Sequence, residues 1–84
     1  MFHYYIVILI FGRVAAVTGP IDDHSTCKIQ ATSRYEQIVT TAQAKGVSSI
    51  VIEGKTATQK DLSVICKGGT NPPKITIDIS NISQ

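Results

Sequence analysis

Few side chains in this 84-residue sequence can do acid–base, nucleophilic or metal chemistry, and their spacing narrows the choice further. The histidines are His3 and His24 and the arginines Arg13 and Arg34. Serines and threonines are plentiful, but a hydroxyl nucleophile needs a base beside it. His24 is the one histidine outside the N-terminal segment, and no G-x-S-x-G elbow accompanies any serine. Two glutamates remain. Glu36 reads as a helix-capping partner, and Glu53, at a strand end, could be a general base, although such a residue is more often just a solvated terminus. Asp22-Asp23-His24 has metal-binding residue types but lies in a polar stretch that reads as a solvated acidic arm, and two cysteines with two distant histidines form no zinc cluster. Met1-Phe2-His3 has the spacing of an N-terminal copper site, which matters only if that terminus is kept. Gly54 and Gly68-Gly69 do not form a phosphate-binding loop. Lys55, Lys60, Lys67 and Lys74 are dispersed and lack the aromatic residues that accompany single-strand binding, so RNA is a weak candidate partner. The expectation is therefore no catalytic residue, no cofactor and no metal.

Cys27 and Cys66 are the only cysteines. An even pair in a small exported chain reads as one disulfide. In the chain-entropy model, closing so long a loop stabilises by about 4 kcal/mol, comparable to the whole stability of a domain this small. Two free thiols in a cytosolic protein are the alternative.

Export itself is suggested by the start, MFHYYIVILIFGRVAAVTGP. An apolar run from Tyr4 to Gly12 precedes the small residues Val14-Ala15-Ala16, the layout of a signal peptide cleaved after Ala16. The run is shorter than the ~20 apolar residues a membrane span needs. A short membrane-surface strand or a buried N-terminal strand is the competing reading. On the signal-peptide reading the chain divides into a leader, residues 1–16, a flexible arm, 17–25, and one domain, 26–84. Without Arg13 the balance is seven basic against six acidic groups, near +1, and no strongly charged partner is implied. Asn81-Ile82-Ser83 is an N-glycosylation sequon whose serine is penultimate, a poor acceptor position.

The elements that must hold these groups follow from periodicity. Cys27, Ile29 and Ala31 alternate with polar residues, as in a half-buried strand. In SRYEQIVTTAQAKG, residues 33–46, Ser33 and Glu36 form a capping box, and Tyr35, Ile38, Val39 and Ala42 share one helical face. Lys45 suits the helix C-terminus, and Gly46 can adopt the left-handed stop. Val47–Gly54 is a β-branched run expected to be a strand covered on both faces or nearly so. Residues 57–69 fit a second helix, with Thr58 as N-cap and Asp61 three residues on, or a strand in which Leu62, Val64 and Cys66 alternate. Lys74–Ser80 alternates as a strand with Ile75, Ile77 and Ile79 inward and Thr76 and Asp78 outward. The fold expected is α+β: a small two-layer sandwich, its three- to four-stranded sheet carrying one or two helices on one face, in β-α-β-α-β order.

Thr26-Cys27, Tyr35 near a helix start, and Thr41-Ala42-Gln43-Ala44-Lys45-Gly46 resemble the N-terminal region of the secreted fungal guanyl-specific ribonucleases. That family carries its catalytic glutamate, histidines and arginine on the sheet after the helix, whereas here neither His nor Arg follows Arg34. The resemblance therefore points to the catalytically degenerate, ribonuclease-like effectors of plant-pathogenic fungi. Killer-toxin-like α/β effectors share the strand–helix–strand plan but usually have more cysteines. MAX effectors share the two-cysteine spacing but would require strands at residues 33–46. The export signal, the small stapled scaffold and the missing catalytic set, together with this resemblance, lead to the expectation of a secreted, monomeric, non-enzymatic virulence effector that binds a host macromolecule, a host protein first, outside the cell or after uptake. The alternatives are a small secreted ribonuclease using Glu53, or an antimicrobial, killer-type toxin.

Overall fold

The computed structural model describes residues 2–77. Its elements are β1 (His3–Ile10), β2 (Arg13–Ile21), α1 (His24–Ala44), β3 (Ser49–Ile52), β4 (Lys55–Thr58), a single 3-10 turn (Gln59–Asp61) and β5 (Leu62–Gly69). The fold is α+β, with a three-stranded antiparallel sheet ordered β2-β1-β5, a separate β3–β4 hairpin and one helix. The element order is β-β-α-β-β-β, which corrects the β-α-β-α-β expectation.

The apolar run read as a leader forms the central strand. Tyr5, Ile6, Val7 and Ile10 of β1 are all buried. In the full chain these residues are a buried N-terminal strand. Phe11 and Gly12 both have left-handed φ, 57° and 75°, the geometry of a two-residue hairpin turn that returns the chain as β2. Residues 17–21 of the expected flexible arm therefore belong to a strand, and 24–25 to the helix. Opposite β1, β2 carries extra residues at Ala15 and around Gly19-Pro20, where the pairing shifts register. Pro20 is tolerated there because β2 is an edge strand.

The helix starts ten residues before the expected point. Asp23 is its N-cap, and Ser33 lies inside it. Cys27, Ala31, Tyr35, Ile38 and Ala42 follow one another at steps of four, four, three and four, so a single apolar stripe spans the element. The alternation that suggested a strand at residues 27–32 depended on Ile29, which is 70% exposed. The helix ends as expected at Gly46 (φ 71°). The amides of Gly46 and Val47 donate to the carbonyls of Gln43 and Ala42 at 3.1 and 2.8 Å, a Schellman closure.

Residues 57–69 are not a helix. The expected capping pair exists, with the Thr58 amide donating to the Asp61 carboxylate at 2.9 Å. It starts only one 3-10 turn. Leu62–Gly69 instead pairs along all of β1, from Ile10↔Leu62 to His3↔Gly69. A full ladder on a buried strand outweighs a local cap on a β-branched sequence.

β3 and β4 are joined by Glu53 and Gly54, both at left-handed φ (51° and 80°). Only one face of this hairpin is covered: Ile52 is buried, while Val51 is 40% exposed. Of the strand expected at residues 74–80, the described part up to Ile77 lies outside any strand. Ile75 is exposed and Ile77 is buried. Thr76 docks on β2: its amide donates to the Val14 carbonyl (2.8 Å) and its hydroxyl accepts from the Val14 amide (2.8 Å). Asp78, Ile79 and the sequon at Asn81 lie outside the described residues.

Two packed clusters result. One joins Ile6, Cys27 and Ala31 under the first half of the helix. The other joins Ile10, Ala15, Ile52, Ala57 and Ile77 under the hairpin.

Candidate binding surfaces

The expected disulfide is present. Cys27 on α1 and Cys66 on β5 are bonded, with Cα atoms 5.8 Å apart. The roles of the two elements are exchanged relative to expectation, since Cys27 is helical and Cys66 is on a strand. The bond pins the first half of the helix to one edge of the sheet.

The titratable groups singled out in the sequence have structural partners. Asp23 caps α1, accepting from the Thr26 amide (2.9 Å) and hydroxyl (3.0 Å). Those bonds, the amide first, hold its carboxyl below the usual aspartate range. The Asp22 carboxylate lies 3.2 Å from His3 Nδ1, and His24 packs its ring 5.0 Å from that of Tyr4. Glu36 is exposed along the helix. Glu53, the candidate base, accepts from the Arg13 guanidinium at 2.9 Å. Glu53 does not line the groove described below. Among the described residues no group of three or more His, Cys, Asp or Glu is placed to hold a metal ion. No helix among them is long and apolar enough to cross a membrane.

A groove of about 630 Å³ opens beyond the disulfide-pinned part of the helix. Its floor is the sheet, with Ile8, Ile10, Ala15, Ala16 and Leu62. One wall is the second half of α1, with Ile38, Val39 and Ala42, and the other is the β3–β4 hairpin, with Ile50 and Ala57. The remainder of its lining is Gly46, Val47 and the hydroxyl and amide residues Ser48, Ser49, Thr58, Gln43 and Gln59. Along the groove the helix is packed less deeply than at its disulfide-pinned end, although Gln59 Nε2 donates to the Tyr35 hydroxyl at 3.3 Å. The buried residues of α1 are Cys27 and Ala31, in the first half, whereas Tyr35, Ile38, Val39 and Ala42 are only half-buried. The helix face was legible in the sequence, but the floor was not. It lies in the segment read as a leader, and Phe-Gly lacks the Asn or Asp that usually marks a two-residue hairpin turn.

The second surface is the outer edge of β5. Leu62, Val64 and Cys66 alternate toward the helix, and Val64 and Cys66 pack on its cluster with Ile6. Ser63, Ile65 and Lys67 take the opposite face, with Ile65 41% exposed. Pairing with β1 uses one edge of this strand. Among the described residues no strand pairs with the other.

No protein-family model, curated protein or solved structure matches this chain.

Proposed function

We propose that this protein is a secreted, non-enzymatic interaction protein of the effector type, and that it binds a host protein by adding a strand to the outer edge of β5. The observation that supports this reading is the eight-residue β5 edge, which β1 and the disulfide fix in place and which has no partner strand among the described residues. An edge of this kind offers backbone donors and acceptors to an extended peptide, while alternate side chains supply selectivity. Here those side chains are Ser63, Ile65 and Lys67, a small, an aliphatic and a cationic position. The disulfide accords with an oxidising compartment. The ribonuclease alternative would need Glu53 free to take a proton, whereas its carboxylate is bound to Arg13.

The test is a host-extract capture followed by hydrogen–deuterium exchange on the full chain with the captured protein. Slower exchange of β5 amides is expected, with Ile65→Glu abolishing capture and leaving the thermal midpoint unchanged. Exchange of β5 unaffected by the partner, or capture insensitive to Ile65→Glu, refutes strand addition. Cleavage of RNA by the purified protein that disappears in Glu53→Gln would replace the whole reading by the enzymatic one.

A further inference from the structure

We propose that the groove between α1, the sheet and the β3–β4 hairpin is a binding site for a small, uncharged, aliphatic molecule with at most one hydroxyl- or ester-like end. This is a second activity, on a surface distinct from the β5 edge.

Size supports it first. At about 630 Å³ the groove falls within the roughly 300–1,000 Å³ of small-molecule sites, which are apolar concavities with a few placed polar groups.

The lining then selects the chemistry. Among the described residues that line it, none is Asp, Glu, His, Lys or Arg. A carboxylate or ammonium entering the groove would lose hydration and find no counter-charge, a large penalty. Nor is any lining residue aromatic, so a flat aromatic ligand gains no stacking partner. Branched aliphatic side chains from three elements provide dispersion contact for a flexible hydrocarbon. The serines, Thr58 and the two glutamines supply hydroxyl and amide groups for one neutral polar end.

Architecture supplies the third argument. The helix stripe continues past the disulfide with Ile38, Val39 and Ala42, yet these side chains do not reach full burial. The same stripe is packed tightly at Cys27 and Ala31. The hairpin sits over Ile10, Ala15 and Ile77 and so holds the far wall away from the helix. The concavity thus lies between walls carried by separate elements.

The experiment is a titration of the ¹⁵N-labelled full chain with 1-decanol, decanoate, decylammonium and 2-naphthol, followed by amide chemical shifts. Saturable shifts with decanol are expected at residues 42–49 and 57–59, with the two charged analogues and 2-naphthol at least tenfold weaker. Ala42→Arg places a cation in the wall at a helical position and is expected to weaken decanol binding at least tenfold. Ser48→Lys does the same from the exposed loop, should the first variant disturb the helix. Ile65→Glu is expected to leave decanol binding unchanged. Absence of saturable shifts, equal affinity for decanoate, equal affinity for 2-naphthol, or unaltered binding by both groove variants would each overturn the proposal. The β5 reading would be untouched by any of them.

Discussion

Asp23 accepts two hydrogen bonds from Thr26, one from the backbone amide and one from the hydroxyl. Both favour the ionised carboxylate, and the folded-state pKa is accordingly lowered, chiefly by the amide. A depressed carboxylate pKa means the folded state binds the proton less well than the unfolded chain does. The resulting stabilisation is complete above the ordinary aspartate value of about 3.9 and disappears as pH falls through the lower folded value. Asp23→Ala should therefore lower the thermal midpoint more at pH 7 than in acid that protonates the folded carboxyl, while Asp23→Asn, which still accepts from the amide, should lower it less at pH 7. Thermal melts under the two conditions check this; an equal loss in both would show that capping is not the cause. The same residue shows how far local reading reaches. Ser33 and Glu36 satisfy every rule for a helix start, but rules of spacing do not rank two competing starts. Burial of Cys27 and Ala31 does, because it extends the apolar stripe back to Asp23.

At the scale of elements the disulfide is the main constraint on the helix. It joins residues 39 apart in sequence, and α1 and β5 have no backbone ladder between them. Loop closure of this length is worth about 4 kcal/mol in the chain-entropy model. For a domain of this size each kcal/mol moves the midpoint by roughly 4–8 °C. Reduction, or Cys27→Ser with Cys66→Ser, should lower the melting midpoint by more than roughly 10 °C. Calorimetry with and without reductant checks this; a shift below about 4 °C would mean that packing around Ile6 holds the helix by itself. The pairing was legible from two cysteines, but which one lay on the helix was not. Residues 57–69 carried both periodicities, and their identity as β5 was settled by β1, a strand more than 50 residues away in sequence.

For the whole molecule, everything turns on β1. It is the central strand, and it supplies Tyr5, Ile6, Val7 and Ile10 to the buried residues. Cleavage after Ala16, the expectation for a chain exported by a leader, would remove it together with the ladder partner of β5 and most of the groove floor, so both proposed surfaces belong to the uncleaved chain. The full chain should unfold cooperatively, whereas a chain beginning at Val17 should lose the cooperative transition even with its disulfide intact. Circular dichroism melts of the two forms test the role of β1, and a cooperative melt from the shorter form would refute it. Intact mass of the exported protein tests the leader itself: a species beginning at Val17 supports cleavage, and a full-length one refutes it.

The sequence by itself determined the α+β class, the helix through residues 35–44 with its stop at Gly46, the β3 strand and the cysteine pairing. Each follows from local signals: periodicity, a glycine free to take positive φ, β-branching, and a count of two. The tertiary structure decided the rest. It made the apolar N-terminal run a central strand, drew β5 out of an ambiguous segment, and moved the helix start to Asp23. It also left a groove beyond the point where the helix is pinned. These outcomes depend on which surfaces are buried together, and burial is set by residues distant in sequence that no local pattern contains.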